Sequence, residues 1–267
     1  MYTGAPNQSN MTELFELEGP VDVDYEDLFP NGQLPAIGEM SLDALTGLRQ
    51  TEEEEEFLPT KVYVRHEMLL MWVFFDENEL DKTVKSQFVV GSPGVGKSVL
   101  CFLQAVRMAY RGKRVLYFRK TKPERTTTLW CMEKSGKNVQ IRFDRSVDKG
   151  VKISKLVNPA MLHCFPDRFP AGTKRKDFSK ALNNKEVLVF VDGPNHAEAA
   201  DTIFGNAHYF CTSGGHPHLK DEEFPSKRIV VMNGWLCHDF KMALDIVKTA
   251  KGMNALRSAM TRDDHLD

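Results

Sequence analysis

The run Gly91-Ser92-Pro93-Gly94-Val95-Gly96-Lys97-Ser98 has the residue types and the spacing of a phosphate cradle, G-x-x-x-x-G-K-[ST]. Glycines reach backbone conformations of positive φ and let main-chain N–H groups close around phosphate oxygens. A helix opening near Lys97 adds the unpaired N–H groups of its first turn, around Ser98 and Val99, and the positive end of its dipole. Lys97 is expected to reach the β- and γ-phosphates, and the Ser98 hydroxyl to ligate magnesium. Gly91 to Val99 together are expected to hold a nucleoside triphosphate, ATP with Mg2+.

A second acidic element lies downstream. Val187–Val191 is a continuous apolar run that ends in Asp192. Ligands of open α/β sheets gather at the C-terminal ends of the strands, where an aspartate can hold magnesium directly or through water. Lys97 and Asp192 are the expected catalytic pair, and Ser98 and Asp192 the metal ligands. Many hydrolytic relatives place a glutamate directly after this aspartate to activate water, but here Gly193 follows, with His196 and Glu198 nearby. Tyr209–Thr212 is a further strand running into Ser213 and glycines. Thr212 or Ser213 could orient an attacking water, or could simply form a Ser-Gly turn. Arg119 and Arg125 stand where an arginine finger could act, although surface arginines are the ordinary alternative.

Other constellations carry less. His208, His216 and His218 with Cys211 match no zinc-finger spacing. Lys174-Arg175-Lys176 reads as a solvated basic loop. Trp72, Trp130 and Trp235 read as core or edge residues, and the neighbours His163 and Cys164 face opposite ways if they lie on a strand. Asn184-Lys185-Glu186-Val187 lacks the aspartate of a guanine-reading motif and precedes its strand, which disfavours GTP.

The elements that must position these groups alternate along the chain. Strand character is expected at Lys61–Val64, Ser86–Val90, Arg114–Phe118, Val187–Val191, His208–Thr212 and Arg228–Met232. Helices are expected at Glu67–Phe75, Ser98–Tyr110 and His238–Lys251. Thr126–Met132 and Val139–Phe143, joined by the turn Ser135-Gly136-Lys137-Asn138, predict an inserted β-hairpin. The alternation predicts an α/β fold, a mostly parallel sheet flanked by helices.

Charge divides the chain unevenly. Residues 1–60 hold 14 acids against Arg49 alone, and the remainder holds 34 Lys and Arg against 23 acids. Residues 1–59, with the like-charge block Glu52–Glu56, are expected to form a largely disordered acidic leader, and residues 60–267 the folded domain. The arm could shield the basic body, or arm and body could engage a protein or nucleic-acid partner. The apolar runs are too short to cross a bilayer, and the N-terminus has no basic start or apolar stretch. Five cysteines, an odd number with no C-x-x-C pair, point to free thiols in an intracellular, reducing compartment.

The ordered part resembles the P-loop NTPase module of Crinkler-type effectors of oomycetes and of the related retrotransposon hot spot proteins of trypanosomes. The resemblance rests on Tyr63-Val64-Arg65 before an apolar helix, on Gly91 to Ser98, and on Val189-Phe190-Val191-Asp192-Gly193. Cys211-Thr212-Ser213-Gly214 and Val230–Trp235 add to it. It implies phosphate and magnesium contacts at Gly91, Gly94, Gly96, Lys97 and Ser98, with Asp192 as the Walker B acid. It also implies a secreted effector acting in a host cell or nucleus. Where the family carries a Leu-Phe-Leu-Ala-Lys type entry signature, Glu13–Leu17 reads Glu-Leu-Phe-Glu-Leu. The expected function is an ATP-hydrolysing switch or motor module. The alternatives are a nucleotide-stabilised binding module with little turnover, and a small-molecule P-loop kinase with Arg142 and Arg145 on a lid.

Overall fold

The computed structural model describes residues 15–49, 57–81, 83–92, 94–120, 127–147, 153–193, 208–212 and 227–232. Its strands are β1 (Glu18–Asp24), β2 (Gly38–Ser41), β3 (Lys61–Val64), β4 (Ser86–Val90), β5 (Arg114–Lys120), β6 (Thr127–Ser135), β7 (Asn138–Val147), β8 (Val187–Asp192), β9 (Tyr209–Thr212) and β10 (Lys227–Val231). Its helices are α1 (Tyr25–Leu28), α2 (His66–Leu80), α3 (Lys97–Tyr110), α4 (Ile153–Cys164) and α5 (Arg175–Asn183). Among the described residues no helix is long and apolar enough to cross a membrane.

Eight strands form one mixed sheet in the order β1-β7-β6-β5-β8-β9-β4-β10. From β5 to β10 in that order neighbours run parallel, whereas β6, β7 and β1 add antiparallel strands beyond β5. The expectation of a mostly parallel sheet is therefore too simple, because the hairpin extends the main sheet instead of projecting from it. The strands β2 and β3 pair separately as an antiparallel ribbon.

The central strands are apolar throughout because both faces are covered. Alternate residues serve opposite cores. Val89, Val115, Tyr117, Leu188, Phe190 and Tyr209 face the layer of α2 and α3. Phe88, Val90, Leu116, Phe118, Val189 and Val191 face the layer of α4 and α5. In α2 the buried set Met68, Met71, Trp72 and Phe75 follows the helical period. α3 is buried on nearly all sides, from Leu100 to Ala109, because the N-terminal segment covers the side turned away from the sheet.

That segment corrects the expectation of a disordered leader over residues 1–59. Residues 15–49 are built into the fold. β1 pairs with β7, and Val23, Tyr25, Leu28, Phe29, Leu42, Leu45 and Leu48 are buried in the α3 core. Tyr25 stacks on Tyr110 with ring centroids 3.7 Å apart. Arg49 donates to the carbonyls of Leu42, Leu58 and Pro59, tying the segment to the chain before β3. The block Glu52–Glu56 and the helix expected at His238–Lys251 lie outside the described residues.

A second correction concerns the cysteines. Cys131 of β6 and Cys164, the last residue of α4, are joined as a disulfide, while Cys101 and Cys211 are free and buried. The expectation of free thiols throughout therefore fails for this pair. His163 and Cys164 end a helix, not a strand.

Candidate functional site

The strands β4, β9 and β8 are adjacent and parallel, so their C-terminal ends open on one edge of the sheet. The residues following Val90, the end of β9 at Thr212, and Asp192 at the end of β8 meet there. Ser98 Oγ donates to Asp192 Oδ1 at 3.0 Å, although the two lie 94 positions apart.

The loop is held from several sides. Gly91 has φ +152°, and a Cβ there would lie 2.2 Å from the Met232 carbonyl oxygen, so no other residue fits. Gly94 and Gly96 occupy the left-handed region at φ +78° and +91°. Gly96 is the N-cap of α3 and supplies no capping side chain, which leaves the first N–H groups of the helix for a ligand. Arg65, 1% exposed, donates to the Val95 carbonyl at 2.9 Å and pairs with Glu67 at 3.3 Å, so it braces the loop from beneath. Lys97 folds back across the loop, its Nζ donating to the Ser92 carbonyl at 2.5 Å. Burial pulls the Lys97 amine below the ordinary lysine range, and the neighbouring Asp192 opposes that shift.

Asp192 is 4% exposed. Burial raises its pKa above the ordinary carboxylate value, against the opposing effects of the Cys211 thiol, the Arg119 charge and the hydroxyls of Ser98 and Tyr117. Arg119 stands opposite Asp192 in the β5–β8 register. Its Nε lies 3.8 Å from Asp192 Oδ2, and its guanidinium sits 4.0 Å over the Phe57 ring. The Tyr117 hydroxyl donates to the Ser98 carbonyl at 3.3 Å, and Cys211 Sγ approaches Ser98 Oγ at 4.0 Å. The first turn of α3 is thus fixed through both the hydroxyl and the carbonyl of Ser98.

The donor set suits magnesium. A hydroxyl and a carboxylate are hard oxygen ligands, and a buried carboxylate of raised pKa gains from an adjacent cation. Among the described residues no group of three or more His, Cys, Asp or Glu forms a metal cage. The remaining ligands would be phosphate oxygens and water, which magnesium retains in such sites.

Other expected residues fall in different places. The Thr212 backbone pairs with Val90. Pro93, Arg125, His196, Glu198, Ser213, His216, His218 and Trp235 lie outside the described residues. Trp72 and Trp130 are core residues. His208 is a core residue too, accepting the Val189 N–H at Nδ1 (3.1 Å) while Nε2 lies 3.0 Å from the Leu182 carbonyl. Arg142 bonds Glu133 and the Cys164 carbonyl, and Arg145 pairs with Glu18 at 2.6 Å, so neither sits on a free lid. Lys174-Arg175-Lys176 is not a loop but the entry to α5.

Arg65, Tyr117 and Cys211 are site neighbours that sequence reasoning did not assign. Tyr117 precedes Arg119 by two residues on the same face of β5, a period-two signal that was present. The contact of Cys211 depends on strand order, and that of Arg65 on how the β3–α2 junction packs on the loop; neither had a local signal. No protein-family model matches the chain, and no curated protein matches it.

Proposed function

We propose that the chain is a P-loop NTPase of the additional-strand class that binds ATP with magnesium, akin to the module of Crinkler-type and retrotransposon hot spot proteins. The observation that carries this reading is the Ser98–Asp192 hydrogen bond at 3.0 Å beside the Gly91–Ser98 loop. Two distant motifs, each expected to contact magnesium, meet at one point. The position of β9 between β4 and β8 also supports the class assignment, since an extra strand separates the loop strand from the acidic strand.

Each residue has a task in this reading. The loop N–H groups and the N-terminus of α3 receive phosphate oxygens. Lys97 exchanges the Ser92 carbonyl for the β- and γ-phosphates, a stronger acceptor for its charge. Ser98 and Asp192 would hold magnesium, which would supply positive charge to offset that of the phosphates. The Arg119 charge opposes the burial that raises the Asp192 pKa. Calorimetric titration with ATP–Mg2+ tests the reading. Lys97→Ala is expected to weaken binding about 100-fold, the roughly 3 kcal/mol of a charge-assisted contact. Absence of binding by the wild type, or equal binding by the variant, defeats it.

A second reading, nucleotide binding with little turnover, is favoured by Gly193. The residue has φ +78°, and a Cβ there would lie 2.6 Å from the Lys120 carbonyl oxygen. The β5 backbone therefore closes the position where a catalytic glutamate often stands. Phosphate release separates the two. Turnover abolished by Asp192→Ala supports the enzyme, and binding without such turnover supports the module.

A further inference from the structure

The outer face of α5 is a basic surface away from the Gly91–Ser98 loop. Arg175, Lys176, Ser179, Lys180, Asn183 and Asn184 line an open depression of about 620 Å³. Every one of them is exposed, as is Lys174 at the N-cap. The positions form two rows, 175-179-183 and 176-180-184, each advancing about 6 Å per step along the helix. The buried residues Phe178, Ala181 and Leu182 fix the opposite side of α5 against the sheet, so the rows are held rigidly outward. Asp177, the acid of this helix, is only half-buried, but it lies outside the depression. The nearby Glu186 is paired with Arg168 at 2.7 Å and also bonds the Asn184 side chain at the rim of the depression.

We propose that this face binds the sugar-phosphate backbone of a nucleic acid without reading sequence. Arg175, Lys176 and Lys180, with the Asn183 amide beside them, suit the regularly spaced phosphate oxygens of a polynucleotide, while the Ser179 hydroxyl donates to the Arg175 carbonyl at 3.2 Å. The lining has no aromatic residue to stack a base and no apolar residue to enter a lipid surface. α5 packs on the sheet face opposite α3, so polynucleotide and loop-bound nucleotide would occupy separate places. The proposal does not depend on ATP binding.

Fluorescence anisotropy of the full chain with labelled single-stranded DNA, duplex DNA and RNA of mixed sequence is the test. Binding is expected at about 50 mM salt and should weaken steeply as salt rises. The triple variant Arg175→Glu/Lys176→Glu/Lys180→Glu should bind at least about 10-fold more weakly, with a salt slope shallower by about 2 for a single strand. The neutral variant Arg175→Gln/Lys176→Gln/Lys180→Gln should show a smaller loss in the same direction and guards against misfolding of the reversed one. Lys137→Glu, in the exposed β6–β7 turn, should leave affinity unchanged, and excess ATP–Mg2+ should not compete. No binding at low salt overturns the proposal. So does unchanged binding by both triple variants, or equally tight binding of polyglutamate or phosphatidylserine vesicles.

Discussion

Asp192 places a carboxylate where burial opposes its charge. Its pKa in the folded chain is raised above the unfolded value of 3.8. The folded state therefore binds more protons between the two values, and stability falls as pH rises through the folded pKa. Ionising the buried carboxylate is therefore a net cost to the folded chain, even with Arg119 and Ser98 beside it. Asp192→Asn, which keeps an acceptor for Ser98, is expected to raise the melting temperature without nucleotide, by about 2–4 °C for each kcal/mol recovered. The same variant should lose the magnesium-dependent part of ATP binding. Thermal melts and calorimetry with and without Mg2+ read both effects. A variant that melts lower than the wild type would assign Asp192 to the scaffold. The loop Gly91 to Ser98 and the strand end at Asp192 were legible as elements in the sequence, because three closely spaced glycines mark a strand-to-helix turn and an acid closes an apolar run. The partnership of Asp192 with Arg119 was not, since it is created by the parallel register of β5 and β8.

The elements around the site are locked to one another by His208, which precedes β9 and links β8 to the end of α5. Because Nδ1 accepts from Val189, Nε2 carries the proton and donates to Leu182, and the ring is held neutral. Burial is the main cause that lowers its pKa from 6.5 to about 4. Between those values the unfolded chain binds more protons, so stability is complete above about pH 6.5 and is lost as pH falls toward 4, by about 3 kcal/mol. In urea denaturation at a series of pH values, His208→Gln should be less stable at pH 7 but much flatter across this window. Parallel profiles for the two proteins would remove His208 as the cause. At this scale the central strands and α2 and α3 were readable, because burial on both faces writes continuous apolar runs, the one buried face of α2 writes a helical period, and α3 opens directly on the glycine-rich loop. β1, α4 and α5 were not. β1 is an acidic edge strand, Glu-Gly-Pro-Val-Asp-Val-Asp, which resembles a solvated tail until β7 is placed beside it. α4 carries Pro159 in its interior, and α5 has a polar majority with Phe178, Ala181 and Leu182 as its only buried residues.

For the whole molecule, the decisive feature is that the acidic N-terminal segment belongs to the same core as the phosphate loop. Composition alone argued for disorder, since acids, glycine and proline dominate it. The apolar residues that interrupt those acids converge on α3. Phe29 meets Trp72 edge-on at 6.0 Å, and Glu18–Arg145 and Glu39–Lys61 pair the segment's acids with cations of the body. The charge asymmetry along the chain is thus partly neutralised inside one molecule. Val23, Tyr25, Leu28, Phe29, Met40, Leu42, Leu45 and Leu48 are all buried in the α3 core. At about 2 kcal/mol per buried side chain their gross contribution is roughly 16 kcal/mol, as large as the net stability of a typical domain, about 5–15 kcal/mol. Deleting residues 1–49 should therefore abolish the cooperative melting transition and expose apolar surface that binds a hydrophobic dye. It should also abolish ATP–Mg2+ binding, because α3 presents both Lys97 and Ser98 and would lose its outer cover. A deletion variant that melts cooperatively near the wild-type temperature would show that α3 holds its place without the segment. The two cores would then be independent of it, and the segment would be dispensable to the Gly91–Ser98 loop.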